Sequence, residues 1–143
     1  MARMLSLLAV FISLGQATLQ TYVQQTNLGG MLYLVNRDYF LSRAYEPEDL
    51  VKVDVLSPTG AQRMRAEAAT ALEDMFRAAL EEDLHLAARS GYRSYNTQRA
   101  IWRRKLATVG TVALAQLYVA PPGASEHQLG LAMDVSTRKN SSL

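Results

Sequence analysis

None of the 143 residues is cysteine. That absence removes disulfides, thiolate metal sites and a cysteine nucleophile together. Histidine is almost as scarce, at His85 and His127 only, so the chain by itself cannot build a site of three imidazoles. Charge of one sign is also lacking: fifteen Lys and Arg stand against thirteen Asp and Glu, for a net +2. The one dense basic group, Arg99, Arg103, Arg104 and Lys105, falls inside an expected helix and reads as a solvated helix face, not a nucleic-acid surface. With 49% hydrophobic and 20% charged residues and only four prolines, disorder and repeat arrays are excluded. What remains is one globular domain's worth of chain.

The apolar run at residues 4–14 is shorter than the roughly 20 residues a spanning helix needs. Arg3 precedes it and Gly15-Gln16-Ala17 follow, small residues at the two positions a signal peptidase reads. Residues 1–17 are therefore expected to be an export signal, with a signal anchor or a buried first helix as the alternatives. Residues 18–30 are polar, rich in glutamine and closed by glycine, which predicts a linker. The domain is expected at 31–143.

Within it, residues 31–35 form a β-prone run that Asn36-Arg37-Asp38 closes with turn residues. Residues 45–50, with Pro47, read as an extended surface segment. Residues 60–83 give the clearest helix, with Met64, Ala68, Ala71, Leu72, Met75, Phe76, Ala79 and Leu80 at three- and four-residue steps. Alternation over residues 84–88 predicts a strand with Leu84, Leu86 and Ala88 on one side and His85 on the other. A lone His at such a junction reads as a surface or satisfied structural residue. Ser90-Gly91-Tyr92-Arg93-Ser94-Tyr95 is a turn leading into a helix over residues 96–107, capped by Ser94 or Asn96. A third helical stretch with Val112, Leu114, Ala115 and Tyr118 follows Gly110 and stops at Pro121-Pro122-Gly123. A last strand at residues 131–135 puts Leu131, Met133 and Val135 on one face and Asp134 on the other. A carboxylate flanked by these apolar residues needs something to pair with, since an unpaired buried charge is costly, and a metal would serve. Three helices and three short strands without regular β-α-β alternation fit an α+β fold.

The chemistry gathers in Ser125-Glu126-His127-Gln128-Leu129-Gly130-Leu131-Ala132-Met133-Asp134-Val135. A neutral imidazole and a carboxylate are both good zinc ligands, and Gly130 gives the chain a turn through which His127 and Asp134, seven apart, can converge. A catalytic zinc takes three protein ligands plus water, so these two are part of a site. Taken with the upstream Pro121-Pro122-Gly123, the turn at Ser90 to Tyr95 and Gln98, the pattern resembles the VanY-type D-alanyl-D-alanine carboxypeptidases. These are bacterial zinc peptidases of peptidoglycan. Leu34-Val35-Asn36-Arg37, Tyr45-Glu46-Pro47 and Asp49-Leu50 resemble the start of that family's domain.

The resemblance implies an α+β domain in which helices pack on a small antiparallel sheet with zinc at the sheet's mouth. It implies that His127 and Asp134 are zinc ligands, that Arg93 is the cationic group at the substrate, and that Ser125 and Gln98 line the site. A guanidinium suits that role because it stays charged and can hold a carbonyl oxygen as it becomes an oxyanion, while zinc polarises the same bond. Tyr92 and Tyr95 read as packing residues beside a glycine turn. Glu126 adjoins His127 but is not taken as the general base, because neighbours in an extended segment face opposite ways and that family position varies in type. In the family, the base Glu and the third ligand, a His, stand in a Glu-x-x-His segment well after the Asp. No such segment follows Asp134 here.

Two readings follow. The first is a zinc carboxypeptidase of peptidoglycan stems ending in D-Ala-D-Ala, exported to the bacterial cell envelope, of which this chain is a fragment. An L,D-endopeptidase or a D,D-dipeptidase is its near neighbour. The second is a non-catalytic module that binds muropeptide. Neither calls for nucleic acid, nor for a membrane beyond a possible N-terminal anchor.

Overall fold

The computed structural model describes residues 34–137, so the expected export signal and linker lie outside the described residues. No helix among the described residues is long and apolar enough to cross a membrane. Leu34 and Val35, the described end of the expected first strand, belong to no strand. The turn after them does form: the Asn36 carboxamide oxygen accepts from the backbone N–H groups of Asp38 and Tyr39 at 2.8 and 3.1 Å.

Two short antiparallel pairs frame the molecule. Strand β1 (Leu50–Lys52) pairs with β2 (Arg63–Arg65), Val51 opposite Met64. The expected helix over residues 60–83 thus begins late, at Ala66, as α1 (Ala66–Glu81). Tertiary pairing overrides the helical spacing at its start. The residue 63 carbonyl accepts from Tyr92 N–H at 2.8 Å, and Arg65 N–H donates to the Gly130 carbonyl at 2.9 Å. Met64 is meanwhile buried in a core with Val53, Ala69 and Leu72.

Helix α1 ends where Asp83 takes φ 60° and the N–H groups of Asp83 and Leu84 return to the carbonyls of Leu80 and Ala79. This is a Schellman-type stop with aspartate in the left-handed position. It ties Leu84 to the helix end, leaving that side chain half exposed, and the next strand, β3 (Leu86–Ser90), starts two residues later than expected. Helix α2 (Tyr95–Val109) is capped by Ser94, whose hydroxyl accepts from Thr97 N–H at 3.2 Å, and stops at Gly110, φ 80°. A single turn, α3 (Val112–Ala115), follows.

Strand β4 (Asp134–Thr137) pairs antiparallel with β3, Ala88 opposite Val135 and Ser90 opposite Asp134. Arg89 is the extra residue of a bulge, which bends β3 as it enters the turn at Gly91. Pairing begins at Asp134, later than the expected residue 131. The alternation holds nonetheless: Leu131, Met133 and Val135 all line one apolar groove with Leu72 and Met75. The fold is α+β, helices with small antiparallel sheets.

Candidate active site

The site is assembled on the far edge of β2. Tyr92 N–H and the Gly130 carbonyl both bond to that strand, which brings the turn after β3 beside the turn before β4. The approach is close enough that only glycine fits at residue 91. A Cβ there would stand 2.6 Å from the Arg63 carbonyl oxygen and 2.9 Å from the Met133 methyl. At Gly130, φ is 72°, a left-handed conformation that favours glycine, whereas the atom nearest an added Cβ is a Leu50 methyl that can give way.

His127 lies in a 3-10 turn (Glu126–Leu129), and its carbonyl accepts from Arg93 N–H at 3.1 Å. Its Nδ1 is 2.8 Å from the Gly91 carbonyl oxygen. Since a carbonyl can only accept, that contact fixes the proton on Nδ1 of the neutral ring and leaves a lone pair on Nε2. Nε2 faces Asp134, 3.6 Å from Oδ2. Two ligand atoms each about 2.0–2.1 Å from one tetrahedral ion stand roughly 3.3 Å apart, so the pair fits as two ligands of a zinc ion. The imidazole side chain is 12% exposed and the carboxylate 61%. Asp134 is therefore not the buried charge that its apolar flanks suggested. It stands at the open side, where an ion can reach it.

Arg93 completes the group. Its guanidinium is half-buried, and burial pulls its pKa below the ordinary value while the negative charge of Asp134 opposes that shift. Its Nε is buried without a hydrogen-bond partner. Arginine keeps its charge under such a shift, so a fixed cation lies in the field of the Asp134 carboxylate.

His127, Asp134 and Arg93 thus come together. Ser125 and Gln98 lie to one side. Ser125 is buried and lines a cavity with Glu126, Arg37, Gln116 and Ala120. Gln98 is 1% exposed, and its Nε2 donates to the Ala120 carbonyl at 2.7 Å. Glu126 is exposed in that same cavity, which includes neither His127 nor Asp134; the segment is a tight turn, not the extended run assumed for it.

Sequence reasoning gave Gly91 and Gln128 no role. Gln128 is fully buried, and its Nε2 donates to the carbonyls of Ser42 and Tyr45 at 3.0 and 3.2 Å, fastening that segment to the turn carrying His127. An amide directly after the candidate ligand was the available signal. A Glu-x-x-His spacing does occur upstream, Glu82 to His85, but His85 is half exposed, 3.3 Å from Asp83, in a different cavity with Asp54 and Glu73. No group of three His, Cys, Asp or Glu side chains suited to a metal occurs among the described residues.

The chain matches the VanY family, D-alanyl-D-alanine carboxypeptidase, over residues 61–143. It is 47% identical over 118 residues to YodJ of Bacillus subtilis (strain 168), covering 80% of this chain and 43% of that protein. It is 38% identical over 111 residues to VanXYC of Enterococcus gallinarum, a bifunctional D-Ala-D-Ala dipeptidase and carboxypeptidase, covering 76% of this chain and 55% of that protein. The chain spans about half the length of these curated relatives. Among solved structures it is similar to the LD-carboxypeptidase LdcB, at TM-score 0.69 and 48% identity over 75% of this chain and 51% of that one. VanYB in complex with D-alanine-D-alanine gives TM-score 0.59 at 32% identity, covering 76% and 61%. A VanY D,D-pentapeptidase variant in complex with Zn(II) gives 0.58 at 32% identity, covering 76% and 62%.

Proposed function

The chain belongs to the VanY family of D-alanyl-D-alanine carboxypeptidases, whose members are peptidases, and from that premise we propose that it carries the His127, Asp134 and Arg93 part of a zinc-dependent carboxypeptidase trimming peptidoglycan stems that end in D-Ala-D-Ala. The cell envelope, where peptidoglycan lies, is its place of action. The observation that carries the proposal is the 3.6 Å approach of His127 Nε2 to Asp134 Oδ2, with Nδ1 occupied at Gly91.

A zinc ion held by these two residues would supply Lewis acidity, polarising the scissile carbonyl and acidifying water. The protein's own contributions are positional. The Gly91 carbonyl keeps the imidazole proton on Nδ1 and the ring in one orientation. Arg93 presents a fixed cation for the substrate's carboxylate or for the oxygen that gains charge as the peptide bond is attacked, in a half-buried setting where such charge is poorly screened. The third ligand and the proton acceptor belong to the Glu-x-x-His segment that the resemblance calls for after Asp134.

A second reading has its own support: the LD-carboxypeptidase LdcB stands at 48% identity, against 32% for the VanY structures. One assay separates the readings. Zinc-loaded protein that includes the Glu-x-x-His segment is incubated with stem peptides ending in D-Ala-D-Ala and with stems carrying a single terminal D-Ala on an L-configured centre, and products are read by mass. Loss of one D-Ala from the first substrate only, abolished in His127→Ala, is the expected result. Cleavage of the second substrate alone assigns the LD reading, and binding of stems without cleavage assigns the muropeptide-binding reading.

A further inference from the structure

The basic group Arg99, Arg103, Arg104 and Lys105 on α2 has no part in the chemistry just described. From residue 84 to residue 125 the chain contains no Asp or Glu, so these cations have no acidic neighbour along it. Among the described residues none of them forms an ion pair. A solvated helix face commonly interleaves charges of both signs. This one leaves a single sign unneutralised, which favours an anionic partner.

Beside it lies exposed apolar surface. Val112 and Leu114 are about half exposed, and Leu117 and Tyr118 are 70% and 68% exposed, four large side chains within seven residues. The backbone beneath them is firmly held. Thr111 Oγ1 accepts from Leu114 N–H at 3.3 Å, Ala115 is fully buried, and the N–H groups of Leu117, Tyr118 and Val119 return to the carbonyls of Leu114 and Ala115 at 3.0 to 3.1 Å. Cations reach this run from two other elements. Lys105 Nζ stands 4.8 Å from the centre of the Tyr118 ring, and Arg37 donates to the Gln116 carbonyl at 2.8 Å. One carboxylate, Glu126, shares a cavity with Leu117 and Tyr118, and Arg37 in the same cavity offsets it.

Single exposed apolar residues call for no explanation, but a firmly held run of them rimmed by cations does. We propose that residues 112–118, with the basic group of α2, form a docking surface for an anionic lipid bilayer. Leu117 and Tyr118 enter the headgroup layer, while Arg37, Arg104 and Lys105 lie over lipid phosphates. A soluble anion would satisfy the cations and leave the apolar side chains in water; a bilayer answers both. A tyrosine with a lysine over its ring has the amphipathic form of an interfacial anchor. The proposal stands apart from the carboxypeptidase reading, since it uses none of His127, Asp134 and Arg93.

The chain has no cysteine, so Leu117→Cys gives the full chain a single attachment point for an environment-sensitive fluorophore. With vesicles of phosphatidylglycerol and phosphatidylcholine in equal parts, emission should brighten and move to the blue. Vesicles of phosphatidylcholine alone should leave it unchanged, and the same label at Glu81→Cys, at the acidic end of α1, should respond to neither. Adding Arg104→Gln and Lys105→Gln should raise the lipid concentration for half-maximal shift by roughly 25-fold, at about fivefold for each cation. A residue 117 label that does not shift with anionic vesicles overturns the proposal, even where residues 4–14 carry the chain into the vesicle pellet. Equal shifts with both kinds of vesicle, or an equal response to soluble poly(glycerol phosphate), overturn it as well, the latter in favour of a soluble polyanion.

Discussion

His127 is held by a backbone carbonyl, so the residue that most controls it has no side chain. Gly91→Ala would put a methyl 2.6 Å from the Arg63 carbonyl oxygen, a backbone atom that cannot swing away. Overpacking of this kind costs about 1–3 kcal/mol. Losing a partner that orients a metal-binding imidazole costs roughly 10- to 100-fold in metal affinity. The expected outcome is a lower melting temperature together with weaker zinc binding; a variant with wild-type zinc affinity would remove Gly91 from the site. At Gln128 the expectation is different. Gln128→Ala leaves two carbonyls without their donor, at about 1–3 kcal/mol, and frees the segment at residues 42–45, seen as faster amide exchange there. Tyr92 carries a pH prediction. Burial, and next the negative charge of Glu46, raise its phenol pKa above the ordinary 10.0, against the opposing pull of Arg63. The folded state thus holds the phenol proton more tightly than the unfolded state, so this contribution is complete below pH 10.0 and is lost as pH rises through the folded pKa. Tyr92→Phe should flatten the alkaline fall in stability measured by denaturant titration, and an identical pH profile would contradict the assignment.

At the scale of elements, local chemistry was legible wherever it was self-contained. Ser94 caps α2 as its type and position predict, and Ser94→Ala should cost about 1 kcal/mol in urea denaturation without moving the His127 hydrogen bond. Gly110 stops α2, and the alternating face of Leu131, Met133 and Val135 lines one groove. The misread boundaries are the places where distant chain decided. Arg63–Arg65 keeps helical spacing but becomes a strand because β1, Tyr92 and Gly130 all take hydrogen bonds from it or give them to it. Leu84 keeps strand alternation but is claimed by the stop of α1, through an aspartate at φ 60° that propensity does not foresee. The candidate residues were readable as types in order. The geometry of the site was not, since the link between residues 91 and 127 crosses 36 positions and runs through a carbonyl that every residue carries.

Across the whole molecule, the two glycine turns meet because β2 serves both, with β1 on one edge and the site segments on the other. The core and the candidate site are therefore joined at Met64, which is buried in the core between Arg63 and Arg65, the two residues whose backbones hold those turns. The central claim is that His127 and Asp134 are two ligands of one zinc ion, reached through Nε2. Long-range proton–nitrogen NMR of the histidines during zinc titration tests it most directly, because it reads each ring nitrogen even when binding is weak. Zinc should shift the His127 Nε2 resonance while Nδ1 keeps its proton, and Asp134→Asn should suppress the shift while His85 stays unchanged. Zinc appearing at Nδ1, or at His85 in place of His127, would contradict it.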